Sequence, residues 1–170
     1  MKTSHATSTL CRLLGAAALA TAGTALGAQV PKEGSYDFTA CWAGSANAIA
    51  FSKTHVAVTF DMSGVALSNP PGGMYDHHSF RCIGLSTTLS GEVKQITLCE
   101  AVDPDGDKTL TRFEGDGNHG TRTLLEGTGK YTGMVSTGTA ESLGKFVPVR
   151  PGTFQSCNHQ TGTYKMKLSQ

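Results

Sequence analysis

Apolar side chains recur at every second position in this sequence, and no long stretch carries the 3.6-residue periodicity of an amphipathic helix; that alternation constrains the fold most. Between Thr54 and Met62 the apolar residues Val56, Val58, Phe60 and Met62 are separated by Ala57, Thr59 and Asp61, the pattern of a half-buried strand. Near the C-terminus Tyr164, Met166 and Leu168 alternate with Lys165 and Lys167 in the same way. Between these, Phe80 to Leu89 and Glu92 to Val102 flank Ser90-Gly91, and Asp105-Gly106 separates the second from Lys108 to Phe113, which predicts a three-strand meander. Leu124-Leu125 and Met134 to Thr139 are shorter candidates around Gly127-Thr128-Gly129, and Ser35 to Ile49 supplies a further strand bent at Gly44. Pro70-Pro71-Gly72-Gly73 fits neither a helix nor a central strand and predicts a loop; Pro148, Pro151 and Gly152 mark a second irregular stretch. Seven to nine short strands with regular turn signals predict an all-β barrel or sandwich.

Ahead of this region, Lys2 and Arg12 precede an apolar run from Leu13 to Ala20 that ends in small residues around Ala25-Leu26-Gly27-Ala28. It reads as a secretory signal peptide over residues 1–28, leaving one domain over 29–170 that is secreted or periplasmic. The run is well short of the ~20 apolar residues that span a bilayer, and no later segment matches it, so membrane insertion is not expected. About 140 residues remain, enough for one core. Without Lys2 and Arg12 the 14 basic side chains fall to 12 against 13 acidic ones, with neither sign in a block. Nucleic-acid binding, which needs dense Lys and Arg to neutralise phosphates, is therefore not expected.

Cys11 would leave with the signal, and the four that remain, Cys41, Cys82, Cys99 and Cys157, suit two disulfides in an exported chain. No pair has C-x-x-C spacing, so they predict no metal site. If Ser90-Gly91 is a two-residue turn, Leu89 faces Glu92 and counting outward sets Cys82 opposite Cys99, at a non-hydrogen-bonded position with Cα atoms ~4.5 Å apart. By elimination Cys41 pairs with Cys157. The same register places Ile83 and Leu85 on one side with Ile96 and Leu98, and Ser86, Thr88, Gln95 and Thr97 on the other with the disulfide. The apolar side is expected to be buried.

Candidate chemistry is sparse. Asp103-Pro104-Asp105-Gly106-Asp107 has carboxylates at alternate positions, and Glu114 stands where a calcium loop has its twelfth ligand, but Lys108 occupies the place that needs glycine. A solvated hairpin tip turned by Asp-Gly is expected instead. Asp76-His77-His78, with Arg81 beyond, is the densest group able to do acid/base work or bind metal. In a strand His77 and His78 point to opposite faces, and a third ligand would have to come from His55, His119 or His159, so no metal site is predicted. Serine-hydrolase, zincin and phosphate-loop motifs are missing, and no cofactor is implied. Trp42, beside Cys41, is expected to pack against a disulfide.

The segment Leu125-Glu126-Gly127-Thr128-Gly129-Lys130-Tyr131-Thr132-Gly133-Met134, followed by Thr137-Gly138-Thr139, resembles the Gly-Gly-Thr-Gly-x-Tyr/Phe-x-Gly segment of the allene oxide cyclase and dirigent barrel superfamily, with Glu126 in place of the first glycine. The whole chain also looks like a group of exported bacterial proteins that share its Thr-Ala-Cys-Trp start and Val-Asp-Pro-Asp-Gly-Asp hairpin. The resemblance implies an antiparallel eight-stranded β-barrel, allene oxide cyclase-like, with a central cavity and with Tyr131 packed inward; no catalytic motif carries over. The leading reading is a barrel that binds a small, mainly apolar molecule without changing it, with Val56, Val58, Phe60, Met62, His77, His78, Tyr164 and Met166 as candidate ligand-binding residues. A cyclase- or isomerase-type enzyme acting on a lipid-like substrate through Glu100, Glu126, His77 or His78 is the second. The third is a homo-oligomeric interaction protein with a filled barrel, which an exposed apolar face on alternate strand residues would favour.

Overall fold

The structure, a computed structural model, describes residues 30–167; residues 1–28, read above as a signal peptide, and Leu168 lie outside them. The described residues form eight strands: β1 Glu33–Ser52, β2 His55–Ser68, β3 His78–Leu89, β4 Glu92–Val102, β5 Lys108–Gly115, β6 His119–Gly127, β7 Met134–Lys145 and β8 Thr153–Met166. Each pairs antiparallel with its neighbour in sequence, and β8 returns to β1 to close a barrel. The predicted meander is β3–β4–β5, and the short candidates at Leu124 and Met134 grow into β6 and β7. Among the described residues no helix is long and apolar enough to cross a membrane.

Local chemistry sets the register. Ser90 and Gly91 both adopt positive φ, 53° and 86°, which matches a tight turn to the right-handed twist of β3 and β4. Leu89 then faces Glu92, Cys82 faces Cys99, and their disulfide forms with the Cα atoms 4.1 Å apart. Cys41 faces Cys157 across the β1–β8 seam and makes the second disulfide. The first pairing agrees with the count outward from the hairpin turn and the second with the elimination that followed it.

The faces of the β3–β4 hairpin are the reverse of what its composition suggests. Cys82, Thr97 and Cys99 are buried inside, while Ile83 (56 % exposed), Leu98 (40 %), Leu85 and Ile96 lie on the outer surface. An eight-stranded barrel encloses little more than its own side chains. Here β1 and the β2–β3 loop fill one end with large rings, and β3 and β4 face the rest of the interior with His78, Phe80, Cys82, Thr97 and Cys99.

That filled end is the floor of the barrel. Tyr36 and Phe38 of β1, Tyr75 of the β2–β3 loop, Tyr131, Met134 and Tyr164 are all buried there. Tyr36 and Phe38 approach the Tyr75 ring at centroid distances of 5.1 and 5.3 Å. The Asp76 carboxylate brings Tyr75 in by accepting the amides of Ser68 (2.9 Å) and Gly72 (2.7 Å). Those two hydrogen bonds, with the nearby His77, hold the Asp76 pKa down at about 2. Tyr75 itself sits at φ 68°, a left-handed conformation uncommon for an aromatic residue.

Candidate functional site

Above the floor the barrel holds a cavity of about 140 Å³. It runs from Tyr75 and His78 to the β5–β6 turn at Gly117 and Asn118, between walls that include Trp42, Met62, Phe80 and Phe113 and the Cys82–Cys99 disulfide. Trp42 therefore lines the cavity, whereas the Cys41–Cys157 disulfide next to it lies on odd-numbered, outward-facing positions. Adjacent strand residues point to opposite faces, so the expected packing of Trp42 on that disulfide does not occur.

Of the ligand-binding candidates, Met62 and His78 line the cavity. Val56, Val58 and Phe60 share the inward face of β2 but lie toward the hairpin end, where Phe60 packs edge-on against Phe154 at 6.2 Å. Tyr164 and Met166 belong to the floor packing. His77 is exposed on the loop and pairs with Asp76 at 3.0 Å, turned away from His78. Glu100 and Glu126 are both exposed, Glu100 in an ion pair with Lys108, so neither is the buried carboxylate the enzyme reading required.

His78 is held by a chain of polar groups running beneath the floor. Its Nε2 lies 3.0 Å from the Tyr131 hydroxyl, and that hydroxyl donates to Asp103 Oδ2, also at 3.0 Å. Lys130 Nζ is 2.7 Å from the same Asp103 oxygen and also pairs with Asp105. The other Asp103 oxygen accepts the amides of Asp105 (2.8 Å) and Asp107 (3.0 Å). Burial works against the Asp103 charge, yet Lys130, Tyr131 and the Asp107 amide together keep its pKa below the usual carboxylate value. Burial and the Asp103 carboxylate push the Tyr131 phenol far up.

His78 titrates at about 4: burial lowers it most, Asp103 raises it, and Arg122 and Lys130 lower it further. It is neutral at pH 7. The single Tyr131 proton goes to the carboxylate, so the hydrogen-bond network assigns the other proton to His78 Nε2, which donates to the Tyr131 oxygen. Nδ1 is left as a bare acceptor, buried and without a partner.

The tip at Asp103 to Asp107 is thus a turn, with Gly106 at φ 91°, but not a solvated one at Asp103. Lys130 and Tyr131, in the 3-10 turn Gly129–Tyr131 after β6, cover it. Glu114 stands six residues up β5 from Lys108, roughly 20 Å along the strand, and pairs with Arg112, out of reach of any ion held by Asp103.

Arg122, Thr109 and Gln160 also line the cavity, and sequence reasoning passed over all three. Strand register explains the place of Arg122. Phe113, Arg122, Gly138, Gly162 and Tyr36 form one row across β5, β6, β7, β8 and β1. A Cβ on either glycine would collide with the Tyr36 hydroxyl, so the two glycines leave a bare shelf over which Arg122 Nη1 reaches that hydroxyl at 3.3 Å. Nη1 also donates to Ser136 Oγ at 3.2 Å, and the guanidinium lies 4.3 Å from the Tyr75 ring centroid and 5.0 Å from that of Tyr36.

Arg122 is 3 % exposed and, among the described residues, pairs with no carboxylate. Desolvating a charge costs several kcal/mol, of which a ring face returns about 2. Thr109 Oγ1 and Gln160 Oε1 join His78 Nδ1 as buried atoms without a hydrogen-bond partner. Each unmet group costs about 1–3 kcal/mol. The only sequence signal for Arg122 was its parity with Leu124, an inward position two residues on.

Fold and site together define a small closed antiparallel barrel with a cavity over a floor of packed rings. No family model and no curated protein matches the chain. Among solved structures the barrel is similar to that of the pterocarpan synthase dirigent protein GePTS1, with a TM-score of 0.49 and 12 % identity over 80 % of this chain and 93 % of that one. At this identity and score neither a family nor an activity follows from the likeness.

Proposed function

We propose that this chain is an exported protein that binds a small, mainly apolar molecule inside its barrel. One observation carries the reading: a cavity of about 140 Å³ is walled by Trp42, Met62, Phe80 and Phe113 and reaches the buried Arg122. A cavity of about 150 Å³ accepts a benzene-sized body, so the occupant is a single ring or a short chain. Trp42 is the sole tryptophan and lines the cavity, so its emission reports occupancy directly. Titration with an environment-sensitive apolar dye, followed by competition with small aromatic compounds, should give a saturable change that a chelator does not alter. A folded, monodisperse sample in which neither Trp42 nor the dye responds would refute the reading. Amino-terminal sequencing of the protein from periplasm or medium tests export, with a start near Gln29 expected.

The isomerase alternative loses both carboxylates and keeps only His78, whose Nδ1 is buried and not open to a molecule in the cavity. A second reading rests on the outer surface of β3–β4. Ile83 stands opposite Leu98 and Leu85 opposite Ile96, and the Asp61–Arg81 and Arg112–Glu114 ion pairs flank the four. The patch and its flanks carry no net charge, which suits association with a second copy of the same face.

A further inference from the structure

We propose that the molecule held in the cavity is a small organic anion, a one-ring or short-chain carboxylate, whose carboxylate docks on Arg122. The proposal rests on the binding reading above and deepens it. A guanidinium has five N–H donors in a planar fork, and the structure engages only Nη1, with Tyr36 and Ser136. Neither Nε nor Nη2 donates to any group among the described residues. A buried cation is ordinarily paired with an acid, and none is paired with this one, although the chain has acids to spend elsewhere: Asp103, the buried carboxylate of the floor, is committed to Lys130 and Tyr131. The Nε and Nη2 edge of the fork matches a carboxylate in bidentate geometry, which a neutral ligand cannot reproduce.

The surroundings fit the same class of molecule. The Gly138–Gly162 shelf anchors one side of the guanidinium to Tyr36, and Tyr75 supports it from the floor, so the charge is positioned rather than loose. Trp42, Phe80 and Phe113 supply ring and aliphatic contacts for the rest of the ligand, within a volume that limits it to roughly benzene size.

The experiment compares matched pairs, benzoate with benzamide and hexanoate with hexanamide, by calorimetry and by Trp42 emission, on wild type, Arg122→Gln and Arg122→Lys. Wild type is expected to bind each carboxylate at least about tenfold tighter than its amide, an advantage lost in Arg122→Gln and partly kept in Arg122→Lys. The carboxylates, but not the amides, should also raise the wild-type melting temperature, a readout that needs no variant to fold. Equal affinity for acid and amide in wild type overturns the proposal while leaving apolar binding intact. An acid preference that survives in a folded Arg122→Gln overturns it too, and failure of all four compounds removes the binding reading along with it.

Discussion

His78 is neutral because β3 begins inside the barrel, and that makes its contribution to stability depend on pH. Its folded pKa of about 4 lies below the ordinary value of 6.5, so between these values the unfolded chain binds more protons than the native one. Stability therefore rises with pH across this window and is lost as pH falls from about 6.5 to 4, by roughly 3 kcal/mol in all. Asp76, held at about 2, acts in a lower window, below 3.8. Gln at position 78 can still donate to Tyr131 but does not titrate. Denaturant titrations of wild type and His78→Gln should thus show their stability difference shifting by roughly 3 kcal/mol in favour of the variant between pH 7 and pH 4. A difference that stays constant would mean that His78 is solvated in the native state.

At the scale of elements, the β3–β4 hairpin shows that alternation names two faces without saying which is the inside. Leu98 is outside, so Leu98→Ala in dilute protein should change unfolding stability by less than about 1 kcal/mol, whereas Phe38→Ala, in the floor, should cost about 3–5 kcal/mol. Equal costs would contradict the observed faces. If copies associate through this hairpin, Leu98→Asp should reduce the mass measured by light scattering to that of one chain without changing the circular dichroism. A wild type that is already monomeric at high concentration removes the association reading.

Closure is the property of the whole molecule, and the two disulfides bear on it unequally. Cys82–Cys99 spans 17 residues within one hairpin, while Cys41–Cys157 spans 116 and ties the first strand to the last. Chain entropy alone assigns about 3 kcal/mol to the shorter loop and nearly 5 kcal/mol to the longer. Replacing Cys41 and Cys157 together by Ser should destabilise the protein more than replacing Cys82 and Cys99 by Ala, as read from urea midpoints. The reverse order would show that the buried hairpin disulfide matters more for packing than the seam does for closure.

Sequence by itself determined what depends on nearest neighbours and on one hairpin. The strands at Val56 to Met62 and through the meander, the Ser90-Gly91 turn and the Cys82–Cys99 pairing follow from a two-residue period and a count outward from a turn, and Cys41–Cys157 follows by elimination; His77, read as a strand residue, sits instead at φ 55° in the loop before β3. The tertiary structure decided which face of each strand is inside, since only closure of the barrel turns Cys82, Thr97 and Cys99 toward the interior and Ile83 and Leu98 away from it. It also decided the site. Lys130 and Tyr131 reach Asp103 only because β6 returns beside β5, and Arg122 meets Tyr36 only because β6, β7, β8 and β1 align two glycines between them. These are long-range pairings set by strand register around a closed sheet, and no local pattern encodes them.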